Sequence, residues 1–245
     1  MGLTIHFKLK FQSEHADIED LQARWLVEEA RKLAFSFKRK GRVDGVGPLG
    51  QDWAARKLGE YFLKYRHPEY GEQWAEVYPV RAWMFVVDVG ADCEPLRLGL
   101  GQYPARVRHL GGERATRMSR GWRLSGFSKT QFASLHGWEH FRRCHTAVID
   151  LLHGMRRLGL RVEIFDEGDY WPRRSVTKLR AELDLMNGVV AAAAGALKDL
   201  DEAINGQSRV ESPIFAHKNF ERLEAEGAMR EIPTLKKLRA AVGEL

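Results

Sequence analysis

The chain is poor in cysteine, with two among its 245 residues, Cys93 and Cys144. They stand far apart and form no spaced pair, which excludes a disulfide-stapled secreted scaffold and a cysteine-rich zinc module. Cys144 falls in a helical stretch, where a cysteine is typical of a small apolar core residue. We therefore expect both thiols to be reduced and the protein to occupy a reducing compartment.

Long apolar runs are also missing from the sequence. No segment approaches the roughly 18 consecutive apolar residues that a membrane-spanning helix needs. The opening stretch, Met1 to His6, lacks the basic-then-apolar layout of a signal peptide, and His6 stands where the myristoylation pattern requires Ser or Thr. These absences predict a cytoplasmic protein without a membrane partner.

Charge of one sign is in excess, but only mildly. The formal net charge is +6, the isoelectric point is about 9.4, and 44% of the residues are hydrophobic. This composition is typical of a globular protein that is long enough to bury a substantial core. The basic excess permits a polyanionic partner without requiring one.

Alternating apolar and polar residues predict the first strand. From Leu3 to Phe11 every second residue is apolar, a period typical of an edge or half-buried strand with His6 on its polar face. A continuous apolar run over residues 81–89 predicts a strand that is buried on both faces. Shorter segments predict further strands over residues 95–103, 122–127 and 160–165.

Apolar residues at helical spacing predict four helices. Their predicted ranges are 17–37 with Asp17 as cap, 53–66, 140–158, and 176–204 with Ser175 as cap. The middle of the last helix is small and apolar on nearly every side, so we expect it inside the fold or at a homodimer interface. Residues 216–245 are predicted to form short polar helices at the periphery, the last of them beginning at Pro233.

The order of these elements predicts the fold class. It contains a β-α-β-β-α-β set, which is the split βαβ or ferredoxin-like arrangement. We therefore predict an α+β fold: a mainly antiparallel sheet with helices on one face, a ferredoxin-like core with insertions, and a long C-terminal helix. Residues 1–205 are predicted to form a single domain and residues 206–245 a peripheral helical tail.

An acidic block directly follows one of the predicted strands and contains Asp166, Glu167 and Asp169. Clustered carboxylates at a strand end can bind Mg²⁺ or Mn²⁺, because hard cations prefer oxygen ligands. Alternatively, one carboxyl group can have its pKa raised by the others and act as a general acid or base. We predict Asp166 and Glu167 as metal ligands or as acid–base groups.

Four side chains near this block are predicted to bind a substrate. Lys129 and Gln131 end another strand, where a lysine can hold an anion and an amide can orient it. Tyr170 and Trp171 could form an aromatic wall beside the acids. Under the alternative hypothesis Lys129 is a structural counter-charge to Asp166 or Glu167, and the acidic turn is solvated with its aromatic residues anchored in the core.

His145 lies on the helix between the two polar blocks. Phe141 precedes it by one turn and Val148 follows three residues later, so His145 borders the buried face. We predict it as a proton carrier beside Asp166. The alternative is a core histidine that is bonded to a backbone group.

An arginine-rich stretch occupies residues 104–120, and Gly111 and Gly112 in its middle predict a flexible loop. Its arginines can contact phosphates, which would make binding strongly salt-dependent. The alternative is a solvated basic loop, since no helix-turn-helix, RNP or zinc-finger pattern is present. The residues predicted for polyanion binding are Arg106, Arg108, Arg114, Arg117 and Arg120.

Four sequence blocks together resemble a family of bacterial proteins with no assigned activity. The blocks are Met-Gly-Leu-Thr-Ile-His-aromatic at residues 1–7, Lys-Thr-Gln-aromatic-Ala-Ser at 129–134, Arg-Cys-His at 143–145 and Asp-Glu-Gly-x-Tyr-Trp at 166–171. Asp169 departs from the pattern, because glycine is the more familiar residue there, so it is the weakest of the three acids. The resemblance implies a bacterial source and a connection between the blocks, but no reaction.

Three hypotheses of function follow. The first is an enzyme in which His145, Asp166 and Glu167 are catalytic, a divalent metal binds the two carboxylates, and a phosphate-bearing substrate is hydrolysed. The second is a non-enzymatic polyanion- or nucleic-acid-binding protein that uses the arginines of residues 106–123. The third is an interaction protein that dimerises through the helix over residues 176–204.

Overall fold

The structure is a computed structural model that describes residues 3–13 and 18–229. Three predicted features lie outside the described residues: the first two residues of the N-terminal block, the helix cap at Asp17 and the helix beginning at Pro233.

The described residues form strands, α-helices and two 3₁₀ helices. The strands are β1 Thr4–Phe11, β2 Gly45–Val46, β3 Tyr61–His67, β4 Gly71–Val77, β5 Arg81–Asp88, β6 Leu96–Gln102, β7 Arg106–His109, β8 Gly112–Ala115, β9 Trp122–Lys129 and β10 Arg161–Asp166. The α-helices are α1 Glu19–Arg39, α2 Trp53–Lys57, α3 Trp138–Arg157, α4 Val176–Asn205 and α5 Phe220–Ala228. The 3₁₀ helices are Gln131–His136 and Pro213–Ala216.

One sheet of six strands organises the fold, in the order β10-β1-β9-β6-β5-β2, and its neighbouring strands pair antiparallel. The predicted α+β fold with a mainly antiparallel sheet and a long C-terminal helix is therefore confirmed. The order β10-β1-β9-β6, with α1 and α3 in the connections, is compatible with a split βαβ core extended by β5 and β2. β1 lies between β10 and β9 rather than at an edge of the sheet.

α1 and α3 cover one face of this sheet. Alternate residues of β1, such as Ile5 and Leu9, are buried in the same core as Trp122 and Leu124 of β9 and the inner faces of the helices. Burying one such side chain contributes about 1.5–3 kcal/mol, so this apolar layer is the main source of stability. The opposite face of β10, β1 and β9 carries the polar side of the alternation and stays open.

The helix predicted over residues 53–66 is wrong beyond Lys57. α2 ends there, and the following residues form β3, which pairs along its length with β4. Trp53 and Phe62, two apolar residues of this segment, are half exposed rather than buried. Pairing with β4 stabilises β3 as a strand. The helix prediction failed because the spacing of apolar residues within one segment does not show that it pairs with another segment.

The arginine-rich stretch is also more ordered than predicted. Residues 104–120 contain the hairpin of β7 and β8, which turns at Leu110 and Gly111 with φ values of 47° and 72°. Positive φ at both central residues matches the right-handed twist of a tight hairpin. The hairpin packs beside β3 and β4, where a hydrogen bond of 2.7 Å joins the hydroxyl of Tyr65 to Nδ1 of His109.

The small-residue middle of α4 is covered by α5, so α4 packs inside the fold, which is the first of its two predicted environments. Gly188 and Gly227 meet backbone to backbone, since a Cβ at Gly227 would lie 1.9 Å from the carbonyl oxygen of Gly188. Ser175 caps α4 as predicted, by accepting a hydrogen bond from the backbone N–H of Lys178. A dimer through α4 stays a hypothesis.

Gly227→Ala is expected to loosen α5 from α4. Alanine favours a helix over glycine by about 1 kcal/mol, but its methyl group would force the two backbones apart, and overpacking costs about 1–3 kcal/mol. With a net cost of about 1–2 kcal/mol, hydrogen–deuterium exchange of residues 220–228 should become roughly 5- to 30-fold faster. The matched control is Glu226→Ala at an exposed position of α5, for which we expect a change of less than about threefold. Equal protection in the two variants would contradict the close approach.

Candidate functional site

Three residues from different elements meet in a buried chain of hydrogen bonds: Thr130, His145 and Asp166. Nε2 of His145 lies 3.0 Å from Oδ1 of Asp166, and its Nδ1 lies 2.8 Å from Oγ1 of Thr130. The side chains of His145 and Asp166 are 0% exposed. Because a carboxylate can only accept, the Nε2–H of His145 donates to Asp166. The chain links the end of β9, the middle of α3 and the end of β10.

The turn after β10 closes around the carboxylate of Asp166. Oδ1 also accepts a hydrogen bond from the N–H of Gly168, and Oδ2 accepts from the N–H groups of Tyr170 and Trp171, at 2.8 to 3.0 Å. Burial by itself raises the pKa of Asp166, but the hydrogen bonds from His145 and the backbone outweigh it and hold the pKa below its ordinary value of 3.8. Both oxygens are therefore engaged within the protein.

Gly168 allows this turn to approach the helices closely. A Cβ at this position would lie 2.7 Å from Cδ1 of Leu179 on α4 and 2.9 Å from Cε1 of His145 on α3. A larger residue would push the turn away from His145, so packing requires the glycine of the Asp-Glu-Gly block.

Glu167 and Gln131 both hold the start of β1. Oε2 of Glu167 accepts a hydrogen bond from the N–H of Thr4 at 2.9 Å, and Oε1 of Gln131 accepts from the N–H of Leu3 at 3.0 Å. Gln131 is buried, and its Nε2 donates to Oδ1 of Asn187 on α4 at 2.9 Å. No role was predicted for Asn187, although an amide in an otherwise apolar helix segment is a signal of such a contact.

The other predicted substrate-binding residues lie at the margin of this network. Nζ of Lys129 lies 3.9 Å from a carboxylate oxygen of Glu94, so its counter-charge is not an acid of the turn. The guanidinium of Arg174 lies over the rings of Tyr170 and Trp171, 5.5 and 5.1 Å from their centroids. These two rings are half-buried and contribute to packing at the start of α4.

The order of hydroxyl, imidazole and carboxylate is that of a nucleophilic triad, but Thr130 and His145 have no exposed surface. A substrate could reach them only by displacing the packed core, so the geometry favours a structural link. Within residues 3–13 and 18–229, no group of three or more His, Cys, Asp or Glu side chains is placed to hold a metal ion. Catalysis by His145, Asp166 and Glu167, and metal binding by the two acids, stay predictions.

A second candidate site, which was not predicted, lies on the open face of the sheet. Phe127 of β9, His6 of β1 and Phe165 of β10 stand opposite one another in the strand register. The ring centroid of His6 lies 6.1 Å from that of Phe127 and 6.0 Å from that of Phe165. Phe127 is 53% and Phe165 66% exposed. We call these three residues the aromatic row.

Basic side chains dominate on one side of the aromatic row, whereas on the other side Oε1 of Glu167 lies 3.6 Å from Nε2 of His6. Two residues further along β1, Lys8 pairs with Ser125 of β9 and Glu163 of β10. Two residues beyond that, Lys10 pairs with Arg123 and Arg161. Nζ of Lys10 lies 2.8 Å from Glu163, and this hydrogen bond lowers the pKa of Glu163. These two sets of paired residues therefore combine four cationic side chains with one carboxylate.

The hairpin of β3 and β4 projects over this face and turns it into a groove of about 1110 Å³. Phe62 and Trp74 line the groove from the hairpin, and Phe127 and Phe165 line it from the sheet. Trp74 is 54% exposed, and Nζ of Lys64 lies 5.3 Å from its ring centroid. The groove therefore offers aromatic surface on two sides.

The predicted polyanion-binding arginines do not line this groove. Arg106 pairs with Glu113 at 2.9 Å, and the guanidinium of Arg114 lies 4.7 Å from the ring centroid of Tyr65. Tyr65 and Phe62 have opposite parity on β3 and so point to opposite faces of the hairpin. The arginine-rich hairpin therefore contacts the side of β3 and β4 that faces away from the groove.

The sequence did contain a signal for the aromatic row. In β9 and β10 the core positions are those of Leu124 and Val162, whereas Phe127 and Phe165 stand at the opposite parity, where alternation predicts exposure. Grouped apolar side chains at exposed positions mark interaction surfaces. Only the strand order shows that these two rings flank His6.

Comparisons with protein-family models, curated proteins and solved structures gave no match for this chain. The resemblance to a bacterial family therefore stays a prediction, and function is inferred from geometry alone. Among the described helices, none has the length and apolar character needed to cross a membrane.

Asp166→Ala is expected to lower the free energy of unfolding by about 3–5 kcal/mol, because it leaves His145 and three backbone N–H groups buried without their acceptor. Urea unfolding measures this change. The control is Asp169→Asn in the same turn, where the exposed carboxylate pairs with Lys178 and asparagine tolerates the positive φ. The control should cost less than about 1 kcal/mol. Similar losses in both variants would contradict the special role of Asp166.

Acid should weaken the same link. The pKa of Asp166 in the folded protein lies below its ordinary value of 3.8. Its stabilising contribution is therefore complete above about pH 4 and is lost as the pH falls through the folded-state pKa. The stability difference between wild type and Asp166→Asn should shrink between about pH 6 and about pH 3. A difference that stays constant over this interval would show that the ionised carboxylate is not its source.

Proposed function

We propose that this protein binds single-stranded nucleic acid in the groove on the open face of its sheet. The observation that carries the proposal is the aromatic row, in which Phe127, His6 and Phe165 stand side by side on adjacent strands. Exposed rings on neighbouring strands form a platform on which unpaired bases can stack. In a duplex the base faces are already stacked on one another, so this platform suits a single strand.

The cations next to the groove are placed to contact a phosphate backbone. Lys8 and Arg97 line the groove together with the carboxylates of Glu60, Glu94 and Glu163. Lys10, Arg123 and Arg161 lie beside the groove on the same face of the sheet. Lysine and arginine beside stacking aromatics are the combination with which proteins follow a single strand. The net charge of +6 adds a long-range attraction for the same ligand.

The second wall of the groove supports the same ligand. Phe62 and Trp74 stand on the β3–β4 hairpin, so a base that enters the groove finds aromatic surface from the sheet and from the hairpin. Aromatic residues on a solvated face add nothing to the core, and about half of the surface of these two rings meets water. Binding accounts for this exposure, since a stacked base would remove that apolar surface from water.

The sequence had also suggested nucleic-acid binding, but by the arginines of residues 106–123. The proposed ligand class is the same, and the proposed site is now the groove. The arginines of the β7–β8 hairpin lie behind the groove wall, where they could add phosphate contacts beyond the groove. The hydrolase hypothesis is less well supported, because His145 and Asp166 are sealed from solvent. Hydrolysis of a phosphate-bearing substrate stays untested.

Removing the exposed rings is expected to weaken binding of oligonucleotides of about 10 residues, measured by fluorescence anisotropy at low salt with oligo-dT, oligo-U and oligo-A. Stacking contributes about 1–3 kcal/mol per base, so Phe127→Ala or Phe165→Ala should each raise Kd by about 5- to 150-fold. Trp25→Ala is the matched control, since Trp25 is 55% exposed but lies on α1, across the sheet. Its Kd should equal that of the wild type.

Two results would overturn the proposal. One is the absence of binding to any of the three oligonucleotides at micromolar protein and low salt. The other is wild-type affinity in Phe127→Ala/Phe165→Ala with an unchanged melting temperature. Tighter binding to oligo-U than to oligo-dT would identify RNA as the preferred strand, and the reverse would identify DNA.

Neutralising a cation of the open face should reduce the salt dependence of binding. Each phosphate contact on a single strand contributes about 0.7 to the slope of log Kd against log salt concentration. Lys10→Gln should therefore lower this slope by about 0.7. Lys32→Gln, which changes an exposed lysine on α1, should leave it unchanged. If Lys10→Gln and Lys32→Gln gave the same slope, Lys10 would not contact a phosphate of the bound strand.

A further inference from the structure

Cys93 and Cys144 come together where the loop between β5 and β6 meets α3. The loop turns at Gly90, whose carbonyl accepts a hydrogen bond from the N–H of Cys93 at 3.1 Å. Gly90 has a φ of +153°, and a Cβ there would lie 2.7 Å from Sγ of Cys144. A glycine is needed for this approach. Both cysteines are free, and their side chains are in hydrogen-bonding contact despite their separation in the sequence.

The surroundings of Cys144 suit a thiolate. Its Sγ lies 3.7 Å from Nε2 of His140 and 3.6 Å from the carbonyl oxygen of Val89. A hydrogen bond with the thiol of Cys93 is the main cause that lowers the pKa of Cys144, and the positive charge of Arg143 acts in the same direction against burial. The pair therefore loses its first proton more readily than a single buried thiol would.

The two sulfurs differ in their access to solvent. Cys144 is fully buried, whereas Cys93 is partly exposed on the loop. A small oxidant that arrives from solvent therefore meets Cys93 first. The hydrogen bond with Cys144 and burial raise the pKa of Cys93, so the proton that the pair keeps resides mainly on Cys93. Transfer of that proton along the hydrogen bond to Cys144 gives the form in which the accessible sulfur is the nucleophile.

We propose that Cys93 and Cys144 are a redox pair that hydrogen peroxide converts into a reversible intramolecular disulfide. The sulfur of Cys93 attacks one peroxide oxygen, the O–O bond breaks, hydroxide leaves, and Cys93 becomes a sulfenic acid. The sulfur of Cys144 then attacks that of Cys93, the S–S bond forms, the S–O bond breaks, and the departing hydroxide takes the proton of Cys144 as water. One thiol, one thiolate and one peroxide thus give one disulfide, one water and one hydroxide, and two electrons pass from sulfur to oxygen.

Thiol titration and peptide mapping of the native full-length protein test the pair. After treatment with hydrogen peroxide, the wild type should lose both thiols that are titratable in denaturant. A peptide containing Cys93 should be linked to one containing Cys144, and dithiothreitol should restore both thiols. In Cys144→Ala, dimedone should trap a sulfenic acid at Cys93 and no link should form. In Cys93→Ser, the buried Cys144 should remain reduced under the same treatment.

Several results would overturn the proposal. Retention of both thiols in peroxide-treated wild type would exclude the reaction. A link between two chains, or sulfinic acid at Cys93 without any link, would show that Cys144 does not resolve the oxidised sulfur. Should Cys144→Ala fail to fold, the wild-type link and the Cys93→Ser variant still decide the outcome. None of these readouts depends on nucleic-acid binding, so failure of one proposal leaves the other standing.

Discussion

The ionised carboxylate of Asp166, enclosed without contact to solvent, is the interaction on which the rest of the structure depends. A buried charge is tolerated only when its acceptor sites are filled, and here His145 and three backbone N–H groups fill them. This requirement dictates the path of the chain from Asp166 to Trp171. Through His145 and Thr130 the same carboxylate joins the ends of two strands to α3, and Glu167 beside it holds the start of β1.

The Asp166 network and the helices lie on one face of the sheet, and the opposite face is not covered by a helix. α1, α3 and the start of α4 share the inner core. The polar residues near the ends of β9 and β10 form hydrogen bonds that hold this layer together. The open face needs no aromatic residue for stability, yet it carries the aromatic row beside a band of cations. We therefore propose that the ligand binds on the open face and that the buried network is structural. The sequence alone had favoured chemistry in the buried network.

Local pattern was informative where a segment buries one face against a layer. β1, α1, α3, β10 and α4 all follow the period of their element, because the core selects apolar residues at every second or every third to fourth position. It failed over residues 53–66 and 104–120, where hairpins form. Their stability comes from pairing with a second segment, and the few apolar residues of Tyr61–His67 also fit a short helix.

The sequence by itself determined the parity of β1, β9 and β10, and with it that His6, Phe127 and Phe165 turn away from the helices. It also placed polar blocks after β9 and β10. Only the tertiary structure decided that these strands flank β1 in a register that aligns three rings, and that His145 and Asp166 are sealed from water. Register and burial are set by contacts between residues distant in the chain, and a shift of one residue in pairing would reverse every side chain of a strand. The spacing of apolar residues within one segment does not show which distant residues that segment contacts.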